Sequence, residues 1–295
     1  MRFLLLCAFS LLAACQTTHH VTPPPAPIAP QGRDHTDLGV IRELATGRTL
    51  TPQELVERLA VAPRVLVGEQ HDNPDHHALQ LWLLRELATQ RVQGSLLMEM
   101  LNPDQQSRVD AAQTQTRAGR PPADAFKALA WQANWDWSVY GALVTYALRQ
   151  PYPLLAANLD RTQILQIYQQ RPVLKGKAST TEHVQATLLE DIRESHCGLL
   201  PEAQMPAMLA VQQQRDRHMA ERLMAAPTPA LLLAGAFHVR KDLGVPLHLK
   251  DLGAGEGSAV LILAEVDKTV TADSADYVWY TAAQPEQDFC AQLRR

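Results

Sequence analysis

The chain lacks most of the short motifs that announce a cofactor or a nucleophile. It has no His-Glu-x-x-His, no Cys-x-x-Cys and no Cys-x-x-Cys-His, so the common zinc signatures and covalent haem attachment are excluded. No Gly-x-Ser-x-Gly and no glycine-rich phosphate loop occur, which argues against a serine hydrolase of the nucleophile-elbow type and against nucleotide binding. The net charge of −4 comes without any basic run, so the electrostatic footprint of a nucleic-acid-binding protein is missing. After the first residues, no stretch has the long uncharged run of a transmembrane helix. Cysteine is limited to Cys7, Cys15, Cys197 and Cys290.

The amino terminus is informative. Arg2 precedes the apolar stretch Phe3 to Ala14, and Leu12-Ala13-Ala14-Cys15 closes it. A charge, a short apolar core and small residues before a cut describe an export signal, too short to span a bilayer as a mature helix. With Cys15 at the first mature position, residues 1–14 resemble a bacterial lipoprotein signal, which implies lipidation at Cys15. Gln16 after the cysteine favours the outer membrane by the same resemblance. Residues 15–37 are expected to form a spacer, because Thr22 to Pro30 is dense in proline and favours extended, unpacked backbone. His19 and His20 fall in that spacer. In an oxidising periplasm Cys197 and Cys290 could pair, but spacing alone leaves this open.

Residues 38–295 are long enough for one sizeable α/β domain. Apolar runs at 65–67, 95–100, 153–157, 231–233, 260–263 and 277–280 predict buried strands. Thr51-Pro52, Asn73-Pro74-Asp75 and Asn102-Pro103-Asp104 predict helix starts. Strands separated by helical stretches predict an α/β fold: a mostly parallel central sheet flanked by helices, with residues 121–225 as a helical lobe over the carboxyl edge.

Two of the strands end alike. Val65-Leu66-Val67 runs into Gly68-Glu69-Gln70-His71, and Leu231-Leu232-Leu233 runs into Gly235-Ala236-Phe237-His238. Ligands of parallel sheets gather beyond the carboxyl ends of the strands, so both histidines are expected at one pocket. Glu99 follows the second strand, Asn158, Asp160 and Arg161 the third, and Arg240, Lys241 and Asp242 follow His238. Imidazoles with carboxylates at strand ends suit either a divalent metal or general acid–base work near neutral pH. The tentative metal set is His71, His238, Glu69 and Glu99, which would also be the catalytic set of a metal-dependent hydrolase. His76 and His77 sit about 100° apart on a predicted helix, so both are expected mainly at solvent. Met205, Met208 and Met219 could line a greasy groove or belong to helical core. Arg215-Asp216 could project into the pocket or form a surface ion pair.

Several stretches together carry a family resemblance. They are Val65 to Asn73, Asn134-Trp135-Asp136-Trp137-Ser138-Val139-Tyr140, Ala157 to Arg161, His196-Cys197-Gly198, and Gly235 to Pro246. In this order they resemble the ChaN family of haem-binding lipoproteins, within a superfamily that includes Tiki-type proteases and erythromycin-esterase-like proteins. The resemblance implies noncovalent haem binding for iron uptake, with haem held cofacially by a pair of subunits and an outer-membrane haem receptor as a partner. It implies a tyrosine ligand assisted by histidine, for which Tyr140 is the candidate, with His196 and Arg240 as further haem-binding residues. It also keeps open a hydrolytic pocket built on the paired Gly-x-x-His endings.

Overall fold

The computed structural model describes residues 20–288, 290 and 291. The signal 1–14, Cys15 and His19 lie outside the described residues. Eight strands form one sheet: β1 (Ile41–Glu43), β2 (Arg48–Leu50), β3 (Arg64–Glu69), β4 (Ser95–Met98), β5 (Leu154–Ala156), β6 (Ala230–Gly235), β7 (Ser258–Glu265) and β8 (Tyr277–Thr281). Their order is β2-β1-β8-β7-β3-β6-β4-β5. The six strands from β8 to β5 are parallel, and β1 and β2 add an antiparallel hairpin at one edge. The six predicted strands are all present. The hairpin is additional.

The helices are α1 (Pro52–Ala60), α2 (Pro74–Gln90), α3 (Gln106–Arg117), α4 (Ala125–Ala128), α5 (Trp137–Leu148), α6 (Arg161–Gln170), α7 (Glu182–Ser195), α8 (Met205–Ala225), α9 (Ala236–Val239) and α10 (Val245–Asp251). Burial on both sheet faces explains why the strands read as unbroken apolar runs. Val65 and Val67 of β3 point into the layer made by α1, α2 and α5, and Leu66 points into that of α8 and α10. The helical stretch 121–225 divides between these layers, and α7 lies over the carboxyl ends of β3 and β6. Met205 and Met219 are buried, and Met219 packs with Leu232 in the core.

Two expectations about the amino-terminal half change. The proline-rich stretch is packed rather than free: the Val21 and Trp82 N–H groups donate to Gln53 Oε1 and the Thr22 carbonyl, and Ala29 is buried. Extended proline-rich backbone has unpaired carbonyls, and a helix face carrying Trp82 and Asp75 supplies both a donor and an acceptor for it. His76 and His77 are both buried, because α2 is enclosed by the sheet, by α5 and by this amino-terminal strap.

Gly68 marks the place where β3 meets the start of α9. A Cβ there would lie 2.5 Å from Val239 Cγ2 and 2.9 Å from the Ala236 Cα. Gly68→Ala is therefore expected to destabilise the fold by about 1–3 kcal/mol through overpacking. Chemical denaturation checks this: an unchanged midpoint would mean that the backbone yields at no cost.

Candidate functional site

Strands β3 and β6 are neighbours, with Glu69 paired to Gly235. The two Gly-x-x-His endings thus leave the sheet side by side, one residue out of step. Asn73 caps α2 by accepting from the Asp75 N–H and donates to Glu265 Oε1 and the Ala282 carbonyl, which fixes the first turn. Gly235 makes room for the first histidine: a Cβ there would sit 2.9 Å from His71 Nε2.

Glu69 is the hub of one half of the site. It is buried, and Tyr140 donates its hydroxyl to Oε1 at 2.5 Å. His71 Nδ1 lies 2.9 Å from the same oxygen, and His77 Nδ1 lies 2.8 Å from Oε2. His77 also donates Nε2–H to the His71 carbonyl at 3.0 Å. Burial alone would raise the Glu69 pKa. The His77 charge and the His71 hydrogen bond overcome that and hold it well below the usual carboxylate range. Burial likewise opposes charge on His71 and His77, yet Glu69 and its neighbours hold both above the ordinary histidine value.

The second half is centred on Glu99. Its Oε2 accepts the Gly235 N–H at 2.8 Å, and its Oε1 lies 3.3 Å from His238 Nε2. His238 Nδ1 donates to Asp216 Oδ1 at 2.5 Å. An imidazole held between two buried carboxylates is an imidazolium: burial pushes against it, but Glu99 and Asp216 raise its pKa to about 10. Glu99, against its own burial, is lowered to about 2 by His238. The halves face each other across His71 Nε2, which stands 4.0 Å from Glu99 Oε2, too far for a hydrogen bond. The His71 side chain is 41% exposed, whereas Glu69, Glu99 and His238 are nearly sealed.

His76 serves differently. The Gln70 N–H donates to its Nδ1, and its Nε2 donates to Thr281 Oγ1, so it is the neutral tautomer. Burial lowers its pKa to about 3.

Around this centre the Trp-rich turn closes down. Trp135 meets His71 edge-on with ring centroids 4.8 Å apart, and Trp131 packs on Tyr140 and Trp137. Tyr140 itself is fully buried, and burial together with Glu69 raises its pKa above the ordinary phenol value. As folded it is a phenol held by Glu69, not a tyrosinate presented to iron. Binding iron would require the hydroxyl to leave Glu69 and to lose its proton.

The other candidates separate cleanly. Asp216 belongs to the site. Asp160 caps α6, Asn158 accepts the Leu159 N–H, and Lys241 pairs with Asp276. His196 ends α7 with its Nδ1 2.8 Å from the Ile192 carbonyl. Arg240 pairs with Asp242 and lines a cavity beside Phe237. Cys197 and Cys290 are disulfide-bonded, with Cα atoms 5.6 Å apart.

The tentative metal set is not arranged for metal. Among the described residues, no group of three or more His, Cys, Asp or Glu side chains could hold an ion. Most of the donor atoms already face other groups: Glu69 Oε1 meets Tyr140 and His71, Glu69 Oε2 lies against His77, and Glu99 meets Gly235 and His238. Both nitrogens of His238 face carboxylates. No donor arrangement therefore favours a metal-dependent hydrolase.

One residue escaped the sequence reading. Asp191 of α7 lines the crevice with His71 and His238, and burial raises its pKa. It lies far from any strand end in sequence, and only the packing of α7 brings it there.

Residues 55–249 match the family described as haem-binding uptake, Tiki superfamily, ChaN. The chain belongs to the ChaN family. Among solved structures it is similar to ChaN of Campylobacter jejuni, described in cofacial haem binding, at 29% identity and a TM-score of 0.75. That match covers 81% of this chain and 95% of the Campylobacter chain. An erythromycin esterase in its open conformation is a more distant similarity, at 13% identity and a TM-score of 0.46, covering 85% of this chain and 86% of that one. No curated protein matches significantly.

Proposed function

We propose that this ChaN-family protein binds haem noncovalently for uptake, as a lipoprotein anchored through Cys15 in the outer membrane and facing the periplasm. The observation that carries the reading is the similarity to the Campylobacter ChaN haem complex along 95% of that chain. The local chemistry agrees with it. Phe237, 61% exposed, divides a cavity of about 460 Å³, lined by Arg240, Ile262, Lys268 and Val270, from a crevice of about 180 Å³ containing His71 and Asp191. A flat apolar ring bearing two carboxylates suits an exposed phenyl flanked by an arginine and a lysine.

Within that fit, His71 is the cluster's accessible imidazole. Glu69 accepts its Nδ1–H, which fixes the ring and leaves Nε2 towards the crevice, as carboxylates do for histidines that ligate metals. Iron is the chemistry that haem would supply there; the chain's part is to orient His71, shield the ring and pair with the propionates. Pairing of two chains around haem and partnership with an outer-membrane haem receptor belong to the same proposal.

Titrating ferric haem into wild-type, Phe237→Ala and Tyr140→Phe proteins tests the location. Phe237→Ala is expected to weaken binding about tenfold, the loss of one stacked ring and its burial. Tyr140→Phe should bind haem with an unchanged spectrum. Wild-type affinity in Phe237→Ala would move haem elsewhere, and a lost Soret shift in Tyr140→Phe would make Tyr140 the ligand.

A further inference from the structure

We infer that the amino-terminal strap holds the membrane anchor at the amino edge of the sheet, so that the domain rests on the bilayer by that edge and the His71–His238 site opens away from it. The inference rests on the reading above that Cys15 carries the lipid.

The strap runs along α2 in a defined direction. Thr22 bonds to Glu86 and to Trp82, while Ile28 and Ala29 donate their N–H groups to Asp75 Oδ1. Asp75 lies in the first turn of α2, directly after the carboxyl end of β3, and Glu86 lies near the helix's other end, which feeds the start of β4. The eleven helical steps from Asp75 to Glu86 span about 16 Å. Six extended steps from Thr22 to Ile28 span about 19 Å, so the strap matches the helix in length as well as in bonding. Followed towards its amino terminus, the chain therefore descends from the carboxyl edge towards the amino edge. The Val21 N–H donates to Gln53 in the first turn of α1, so the docked strap ends short of the amino edge itself, about two helical turns from the Arg91 turn.

Only Gln16 to His20 separate Cys15 from that docked residue. Six Cα steps reach at most about 20 Å. The proline-rich residues, which would make a long stand-off if free, are consumed in binding α2. The leash is short.

The edge it leads to is apolar in the right places. Val61 precedes β3 and is 84% exposed, and Val92 precedes β4 and is 89% exposed. Arg91 ties these two turns together by donating to the carbonyls of Leu59 and Ala62. Met224, at the end of α8 before β6, is exposed at the same edge. Apolar side chains on turns next to a lipid anchor fit the boundary between headgroups and acyl chains, where a single anchor is strengthened by a second contact. The carboxyl edge lies about 20 Å higher, the length of six-residue β3.

Energy transfer to acceptor lipids tests this. The full-length acylated protein is reconstituted in vesicles of phosphatidylethanolamine and phosphatidylglycerol, with a thiol dye at Val92→Cys or at Thr269→Cys beyond the carboxyl end of β7. Transfer is expected to be at least about twofold stronger from position 92, given the height of the sheet. In Asp75→Ala, which frees the strap from the first turn of α2, that contrast should shrink. Equal transfer from both positions, or stronger transfer from 269, in bound and acylated protein would overturn the orientation while leaving the anchor intact. A mass for the amino-terminal peptide showing unmodified Cys15 would overturn the anchoring reading and the orientation with it.

Discussion

Glu99→Ala is expected to lower stability by about 3–5 kcal/mol, the cost of removing one partner from a buried, hydrogen-bonded charge cluster. Two groups lose their partner at once. The Gly235 N–H loses the carboxylate oxygen to which it donates, and the His238 imidazolium keeps Asp216 as its one carboxylate. Glu99→Gln retains an oxygen for Gly235 but not the charge for His238, so a smaller loss is expected. Urea denaturation reads both, as a shift of midpoint with the slope unchanged. A loss in Glu99→Ala below about 1 kcal/mol would mean that water replaces the carboxylate and that the cluster is not sealed.

The second large effect is a stability maximum near pH 6.5 with two different limbs. His238 is raised to about 10 in the folded protein, so its contribution is complete below about pH 6.5 and is lost as pH rises through 10. His71 and His77, also raised, act in the same direction. On the acid side His76 is lowered to about 3. The unfolded chain takes up its proton below about pH 6.5 while the folded protein refuses it, so stability falls as pH drops towards 3. Glu99, lowered to about 2, adds a loss that begins below about pH 4.5. Thermal midpoints between pH 4 and 10 check the shape. In Glu99→Ala the alkaline limb should flatten, because His238 has lost one of the two charges that raise it. A limb unchanged in that variant would assign the alkaline loss to other groups.

Much of this was legible in the chain, for reasons that differ from element to element. The parallel strands announced themselves because both their faces are covered, which makes Val65-Leu66-Val67 and Leu231-Leu232-Leu233 apolar throughout. The β1–β2 hairpin did not, since Ile41 and Leu50 are the only fully buried residues of its two short strands. Glu69, His71, Glu99 and His238 are legible from strand endings alone, and the pairing of β6 with β3 on one side and β4 on the other brings them together.

His76 and His77 are buried, against the expectation from their spacing. Angular separation on a helix decides exposure only when one face meets solvent, and α2 is packed on nearly every side. The strap is docked for a related reason. Proline density shows that a segment is extended, but Asp75 and Trp82, far along the chain, decide whether it is docked. Asp216 needed the helix geometry of α8 to separate a buried partner of His238 from a surface charge.

The site's polarity also sharpens the family assignment. Its carboxylates and imidazoles neutralise one another in a sealed core, with His71 as the partly open member. That arrangement suits a framework that positions one imidazole and a neighbouring apolar wall.

The most direct measurement is absorption titration of the apoprotein with ferric haem, with the mass in solution determined by sedimentation before and after saturation. A shifted Soret band that saturates at a defined ratio of haem to protein is expected, with haem-dependent pairing of chains. A spectrum identical to free haem at every ratio, from protein shown to be folded, would contradict haem binding.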